Sequence, residues 1–302
     1  MSPLIIVGLV FTLLAVNGLG IFTSLGSINS NEEQNTPKAI PFSAVSYNTS
    51  PSKKPSAKTL NVGAGSAIVY DVNSAQTLFE KQSNDKKAIA SINKLMTALV
   101  IMDSHSPDEI VTIGDIPALG PADQKIGITE GEKFKLLDLT KALLIHSAND
   151  AANALAIYDS GSIEAFANKM NTKAREWGLD NSTFVNPSGL DEPNQLSSAS
   201  NVLILATILN QNKKFSEIVK TPSAKITSQD GKVYTLTTTN KILGQGGVIG
   251  IKTGFTLNAG QCLVTLTERN GQKIITIVLD SPDRFQESKN MIDWAFNNHI
   301  WQ

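Results

Sequence analysis

Residues 90–102 read ASINKLMTALVIM. The stretch is apolar almost throughout, yet Lys94 stands in it three residues after Ser91. On a helix over roughly Ile92 to Met102, Ser91, Lys94, Leu95, Ala98 and Met102 fall at i, i+3, i+4, i+7 and i+11 and share one face. An ammonium group held among apolar neighbours loses hydration, so its pKa falls and the neutral amine becomes accessible near pH 7. A neutral amine one turn from a hydroxyl is a workable general base for a serine nucleophile. The helix start adds free backbone N–H groups and the positive end of the dipole, which favour developing negative charge. The spacing also admits a plainer reading, with Ser91 as an N-cap and Lys94 snorkelling to solvent. Ser-x-x-Lys recurs at Ser50/Lys53 and Ser83/Lys86, so this stretch alone does not decide between the two.

Working outward, SAIVYDV (Ser66 to Val72) and TLFEK (Thr77 to Lys81) read as two strands joined by a turn at Asn73-Ser74. After the opening helix come four runs with apolar residues at helical spacing: Leu136 to His146, Asp150 to Ser160, Ser162 to Gly178 and Ser197 to Gln211. From about Ser223 the character changes. KVYTLTTT, GVIGIKTG, GQCLVTLTER and QKIITIVLD are β-rich, and the last two flank Asn270-Gly271, a strong hairpin signal. An amphipathic helix over Asp283 to Phe296 closes the chain. Strands at both ends with helices between predict a mixed α/β (α+β) domain whose sheet is assembled from both termini.

With 302 residues the chain has ample length for a core. A net charge of -1 gives no basic stripe of the kind a nucleic acid partner requires. Cys262 is the single cysteine, which rules out an intrachain disulfide, and its apolar run points to buried packing. From Pro3 to Ile28 no charge interrupts the sequence, and the first charged side chain is Glu32. A run of about 20 apolar residues is long enough to span a bilayer. An uncleaved anchor is expected over a cleaved signal, because no Lys or Arg precedes the run and the small-residue site near Gly26 is weak. Either places the remainder outside the cytoplasm. The positive-inside rule leaves orientation open. Residues 29 to about 61 are rich in Ser, Asn, Pro, Thr and Lys and read as a flexible tether.

Two further pieces carry chemistry. Ser147-Ala148-Asn149 lies between two apolar helices, where either polar residue also serves as an N-cap. Lys252-Thr253-Gly254 ends a β run. Its glycine permits close backbone approach, and Lys and Thr supply donors for an anion; a lysine on an edge strand before a turn fits as well. The histidines, His105, His146 and His299, lie in no context matching a catalytic base or a zinc site.

Ser-x-x-Lys on a helix, Ser-x-Asn between helices and Lys-Thr-Gly on a strand, in that order, form the set of penicillin-binding proteins and serine β-lactamases. From about Ala64 to Trp294 the chain resembles the low-molecular-weight D-alanyl-D-alanine carboxypeptidases (serine peptidase family S11). AIASINKLMTALV, LLIHSANDAANALA, NPSGLDEPNQLSSASNV, GIKTGFTLNAGQCLV and RFQESKNMIDWAF carry the likeness. The resemblance implies the β-lactamase/transpeptidase-like fold, with an antiparallel sheet, flanking helices and a helical subdomain. Taken with the uncharged run and the polar stretch after it, it divides the chain into an anchor or signal over 1–28, a linker over 29–61 and the penicillin-binding domain over 62–302. Ser91 would attack the penultimate D-alanine carbonyl and Lys94 would take its proton. Ser147 would relay a proton to the leaving amine. Asn149 would bind the peptide amide, and Lys252, Thr253 and Gly254 the terminal carboxylate region. The N–H groups of Ser91 and Phe255 would form the oxyanion hole.

No cofactor is implied. The implied partners are the peptidoglycan stem peptide, β-lactams as covalent inhibitors and the membrane, at the extracytoplasmic face of a bacterial cell. Ser188 stands where relatives often have His and is given no role; Phe255 replaces the common Tyr or His. Many relatives continue into a small β-domain and a membrane helix, whereas this chain ends at Gln302, which leaves attachment to the N-terminal run. A D,D-endopeptidase, a serine β-lactamase and a non-catalytic wall-binding protein are the rival readings. Glu192 resembles the deacylating Glu of class A β-lactamases, but its loop fits the carboxypeptidase pattern without a gap, so it is expected on the surface.

Overall fold

Runs that alternate between two buried faces, such as IITIVL over 274–279, form the centre of the molecule. The computed structural model describes residues 50–301. Along the chain these are β1 (Ser52–Lys53), β2 (Ser66–Asp71), β3 (Gln76–Lys81), α1 (Lys94–Ser104), β4 (Ile110–Thr112) and β5 (Lys133–Lys135). The helical half comes next: α2 (Leu136–Lys141), α3 (Asn149–Ser160), α4 (Ile163–Glu176), α5 (Ala199–Gln211) and α6 (Lys213–Val219). The chain then returns through β6 (Ser223–Thr227), β7 (Val233–Thr237), β8 (Val248–Thr256), β9 (Gly260–Arg269), β10 (Gln272–Ser281), α7 (Arg284–Asn298) and β11 (His299–Ile300).

The main sheet has five antiparallel strands in the order β3-β2-β10-β9-β8, so strands from both ends of the sequence do meet in one sheet. Asn270 and Gly271 turn the β9–β10 hairpin, both with positive φ (51° and 77°), as the primed turn between them requires. Strand alternation divides the core. Ala67, Val69, Leu263 and Val278 face α7 with Met291, Ile292 and Trp294. Ile68, Val264, Ile275 and Ile277 face the helical layer with Ile92, Leu95 and Met96. Helix α1 is buried from Lys94 to Ile101 and packs against α3, α4, α5 and the turn before it, which makes it the pillar of that layer.

Two of the expected helices differ in detail, and both differences lie at the site. The opening segment begins as a 3₁₀ turn over Ala90–Asn93 and becomes α-helical at Lys94. The helix expected over Leu136 to His146 is α-helical only to Lys141 and continues as a π turn over Ala142–His146. A 3.6-residue apolar period does not distinguish these variants from a regular helix, because their backbones differ by a fraction of a residue per turn.

The expected linker boundary at residue 62 moves. Residues 50–61 lie against the C-terminal helix: β1 pairs with β11, and the Trp294 indole donates to the Lys58 carbonyl at 2.7 Å. Lys58 N–H donates to Asn298 Oδ1 at 2.6 Å, and Leu60 packs on the α7 cluster. Polar composition suggested a tether, but this segment is held by backbone groups, which composition does not report. The apolar run over 3–28 and the rest of the expected tether lie outside the described residues. Among the described residues no helix is long and apolar enough to cross a membrane.

Candidate active site

Ser91 sits in the 3₁₀ turn, directly after Ala90, whose φ is 48°. A non-glycine residue in the left-handed region is uncommon and is held there by its surroundings. The surroundings are two glycines. A Cβ on Gly189 would lie 2.1 Å from the Ala90 carbonyl oxygen, and one on Gly254 would lie 2.7 Å from the Ile89 carbonyl oxygen. The turn that presents Ser91 is thus clamped between the loop after Asn186 and strand β8.

Lys94 is fully buried one turn on. Its Nζ lies 2.9 Å from Ser91 Oγ, 2.6 Å from Asn149 Oδ1 and 2.5 Å from the Ser188 carbonyl oxygen. A neutral amine has two N–H donors and one lone pair. The two carbonyl-type oxygens can only accept, which leaves the lone pair for the Ser91 hydroxyl. Burial holds the Lys94 pKa well below the ordinary lysine range, and the charge of Lys252 lowers it further; Asp150 and Asp123 oppose them more weakly.

The second hydroxyl is set by the π turn. It ends at Ser147 in the left-handed conformation (φ 65°), and α3 then begins at Asn149. π turns inside helices recur at functional sites, where the extra residue re-aims the side chains beyond it. Lys252 Nζ donates to Ser147 Oγ at 2.8 Å and to the Thr253 carbonyl at 3.0 Å. Lys252 is also buried, and burial, with a smaller effect from the nearby Arg284 charge, lowers its pKa to about 7. The adjacent Asp150 carboxylate accepts from the backbone N–H groups of Ile126 (3.0 Å), Gly127 (2.7 Å) and Ile128 (3.3 Å), while Asn149 N–H donates to Gln124 O. These bonds fix the 124–128 loop beside the start of α3.

Strand β8 is the sheet edge and carries Lys252, Thr253, Gly254 and Phe255. The Thr253 hydroxyl is buried 2.5 Å from that of Thr239. The Gly254 carbonyl accepts from Arg284 Nη1 at 2.6 Å. Phe255 is 58% exposed, so its backbone, rather than its side chain, belongs to the strand edge. Beyond it, the Thr256 hydroxyl donates to Asp191 Oδ1 at 2.7 Å, tying the strand tip to the Gly-Leu-Asp loop.

All three sequence pieces therefore meet. Lys94 joins Ser91 to Asn149, Lys252 joins Ser147 to β8, and Gly254 backs onto the turn that carries Ser91. Several residues with a part in the site were not named from sequence. Ser188 was given no role, yet its carbonyl holds Lys94 through the backbone, while its hydroxyl donates to Asn186 Oδ1 within the loop. Gly189, Asp150, Thr239 and Arg284 were also missed. Asn186-Pro187-Ser188-Gly189 does carry a turn signal, with Asn186 Oδ1 accepting from Gly189 N–H at 2.8 Å, but the signal does not say what the turn packs against. Glu192 is exposed, as expected for loop surface. Of the histidines, His105 bridges Glu109 and Asp159, His146 meets Gln124, and His299 is buried against α7. Burial pushes the Cys262 thiol up to about 11.

With this geometry in place, comparison with known proteins is specific. The model of peptidase family S11, D-alanyl-D-alanine carboxypeptidase, matches residues 52–283. The chain belongs to family S11. It is similar to the D-alanyl-D-alanine carboxypeptidase DacF of Bacillus subtilis, with 32% identity covering 78% of this chain and 63% of DacF. It is 33% identical to a D-alanyl-D-alanine endopeptidase of Pseudomonas aeruginosa, covering 73% of this chain and 72% of that protein. The S11 chain thus spans about 63% of the length of DacF. Its structure resembles penicillin-binding protein D2 of Listeria monocytogenes in the cefotaxime-bound form, with a TM-score of 0.69, 31% identity, and coverage of 79% of this chain and 99% of that one. The five-stranded antiparallel sheet with its helices is the β-lactamase-like fold of the penicillin-binding proteins.

Proposed function

We propose that this S11 chain is a serine D-alanyl-D-alanine carboxypeptidase that removes the terminal D-alanine from peptidoglycan stem pentapeptides. The observation that carries the reading is the buried Lys94 amine, 2.9 Å from Ser91 Oγ with its two other partners restricted to accepting. Ser91 Oγ attacks the carbonyl carbon of the penultimate D-alanine while its proton passes to Lys94 Nζ. The tetrahedral oxyanion is met by the N–H groups of Ser91 and Phe255. The C–N bond then breaks, and Ser147 delivers a proton to the leaving D-alanine nitrogen. Lys252 and Thr253, with Thr239 beside them, hold the terminal carboxylate, and Asn149 the peptide amide. Water hydrolyses the Ser91 ester and releases the shortened peptide. A β-lactam would acylate the same hydroxyl and leave slowly, a reading supported by the exposure of Glu192 on the loop surface.

The test is labelling with a fluorescent penicillin, joined to an assay of free D-alanine from a defined pentapeptide. Wild type should label and release D-alanine, and Ser91→Ala should do neither. A wild type that fails to label overturns the assignment, as would rapid turnover of benzylpenicillin. Endopeptidase action is the second reading, supported by the Pseudomonas relative of that name; a cross-linked muropeptide dimer cut to monomers would favour it. The uncharged run over 3–28 supports attachment to the membrane, with the folded residues on the extracytoplasmic side. Recovery of the full chain in the soluble fraction after cell lysis would exclude an uncleaved anchor.

A further inference from the structure

Arg284 is a charged group beneath the site that the chemistry above does not use. It is the first residue of α7, comes directly after the Asp283 N-cap, and stacks 4.9 Å from the Phe285 ring centroid. Its Nη1 donates to the Gly254 carbonyl at 2.6 Å. That distance is short, as expected when a cationic donor meets a carbonyl. Gly254 O is not an arbitrary acceptor. It belongs to the peptide unit that joins Gly254 to Phe255, and a trans peptide is planar, with C=O and N–H pointing in opposite directions. A carbonyl turned to Arg284 therefore sends the Phe255 N–H directly away from α7. The same peptide lies against the nucleophile's turn, since Gly254 abuts Ile89, Ala90 and Ile92. β8 is the edge strand of the sheet and pairs only along its inner side, where Gly254 lies opposite Cys262 and Phe255 opposite Gln261 of β9, so Arg284 adds a second hold on a peptide that the ladder already orients.

We propose that Arg284 is a positioning residue for the oxyanion hole: it locks the Gly254–Phe255 peptide from behind and polarises it, so that the Phe255 N–H is aimed and strengthened as a donor. The proposal rests on the assignment of Phe255 N–H to the oxyanion hole. Polarisation arises because a hydrogen bond to a peptide carbonyl draws electron density from the amide and makes its N–H a better donor. Gly254 is the one position of the peptide where a side chain would collide with the Ile89 carbonyl, so the glycine and the arginine act together. The glycine lets the strand approach Ser91, and the arginine, together with the β9 ladder, holds the orientation of the peptide once it is there. Arg284 never touches substrate in this scheme.

The test uses Arg284→Met and Arg284→Lys in the full chain. Acylation by a penicillin is tracked by stopped flow, which separates the initial binding constant from the first-order acylation step. The ester carbonyl stretch of the acyl-enzyme is then read by isotope-edited infrared difference spectroscopy. A stretch lowered by the oxyanion donors is the signature that a merely structural role does not move. In Arg284→Met the acylation step should slow by roughly 10- to 100-fold, less than or comparable to deleting a donor outright. Initial binding should stay within about twofold, because the ground-state carbonyl depends less on that donor than the oxyanion does. The carbonyl stretch should shift to higher wavenumber. Arg284→Lys, which keeps a cation and a donor, should lie between wild type and Arg284→Met in both measurements. A wild-type stretch in Arg284→Met or a loss confined to initial binding overturns the proposal. If the Met variant does not fold, a wild-type stretch in a slowed Arg284→Lys overturns it equally. Failure of the wild type to acylate at all would instead count against the carboxypeptidase assignment.

Discussion

Lys94 and Lys252 are both buried lysines, yet their neighbours set them to different tasks. Lys94 is pressed toward neutrality by burial and by the charge of Lys252, and its partners leave a lone pair for Ser91. Lys94→Arg keeps a basic side chain of similar reach, but arginine stays protonated in a protein and has no lone pair to offer Ser91. Acylation of this variant by penicillin should fall by about 10²- to 10⁴-fold, the usual worth of a positioned general base. A variant that labels at the wild-type rate would show that Lys94 is not the base. Lys252 titrates at about 7, so in the free protein it is charged below that pH and neutral above it. Its charge is what would hold a substrate carboxylate. The value of kcat/KM for a peptide ending in a free carboxylate should therefore decline as pH rises through about 7, because kcat/KM reports the free enzyme. A matched thioester lacking the carboxylate should show no such decline. Equal profiles for the two would remove Lys252 from carboxylate binding.

At the scale of elements, the site is a junction of three backbones rather than a feature of one helix. The 186–191 loop supplies the Ser188 carbonyl to Lys94 and the Asp191 carboxylate to the tip of β8. It is keyed into place by Asn93 and Thr97 of the α1 segment, which donate to the carbonyls of Asn186 (2.9 Å) and Pro187 (2.7 Å). Gly189 has φ 83°, and a Cβ there meets the Ala90 carbonyl oxygen at 2.1 Å. Gly189→Ala faces both a left-handed backbone and a backbone collision. It should lower stability by about 2 kcal/mol or more in urea unfolding and slow penicillin labelling, since the loop that moves is the one that holds Lys94. An alanine variant with wild-type stability and labelling would mean the loop is not clamped to the nucleophile's turn.

The same junction explains what could be read from the chain. That Ser91, Lys94, Ser147, Asn149, Lys252 and Thr253 belong to one cluster was legible because the chemistry proposed for them calls for particular side-chain types. The Ser188 carbonyl was not, because every residue has one and only the fold decides which carbonyl faces Lys94. The π turn before Ser147 was not legible either, since its apolar pattern is that of an ordinary helix. Arg284 was visible as a letter, but its partner Gly254 lies thirty residues upstream, on a strand separated from β10 by β9.

For the whole molecule, the two ends of the described chain close on one another. β1 pairs with β11, Lys54 N–H donates to the Asn298 carbonyl at 2.9 Å, and the Trp294 indole is capped by the Lys58 carbonyl. The segment adds apolar surface through Leu60 to the cluster of Phe79, Met291 and Trp294 beneath the sheet. These contacts cover α7, the helix whose first residue is Arg284, on the face of the sheet opposite α1. A chain starting at residue 62 loses all of them, and a chain starting at residue 50 keeps them. A few hydrogen bonds at about 1 kcal/mol each, with the Leu60 side chain, amount to a few kcal/mol. For a domain of this size that corresponds to a thermal midpoint lower by about 5 °C or more. The site lies across the sheet from this seam, so the shorter chain should still label with penicillin at 25 °C while unfolding earlier on heating. Equal midpoints for the two chains would show that residues 50–61 are a tether after all, and loss of labelling well below the midpoint would show that the seam reaches the active site through α7.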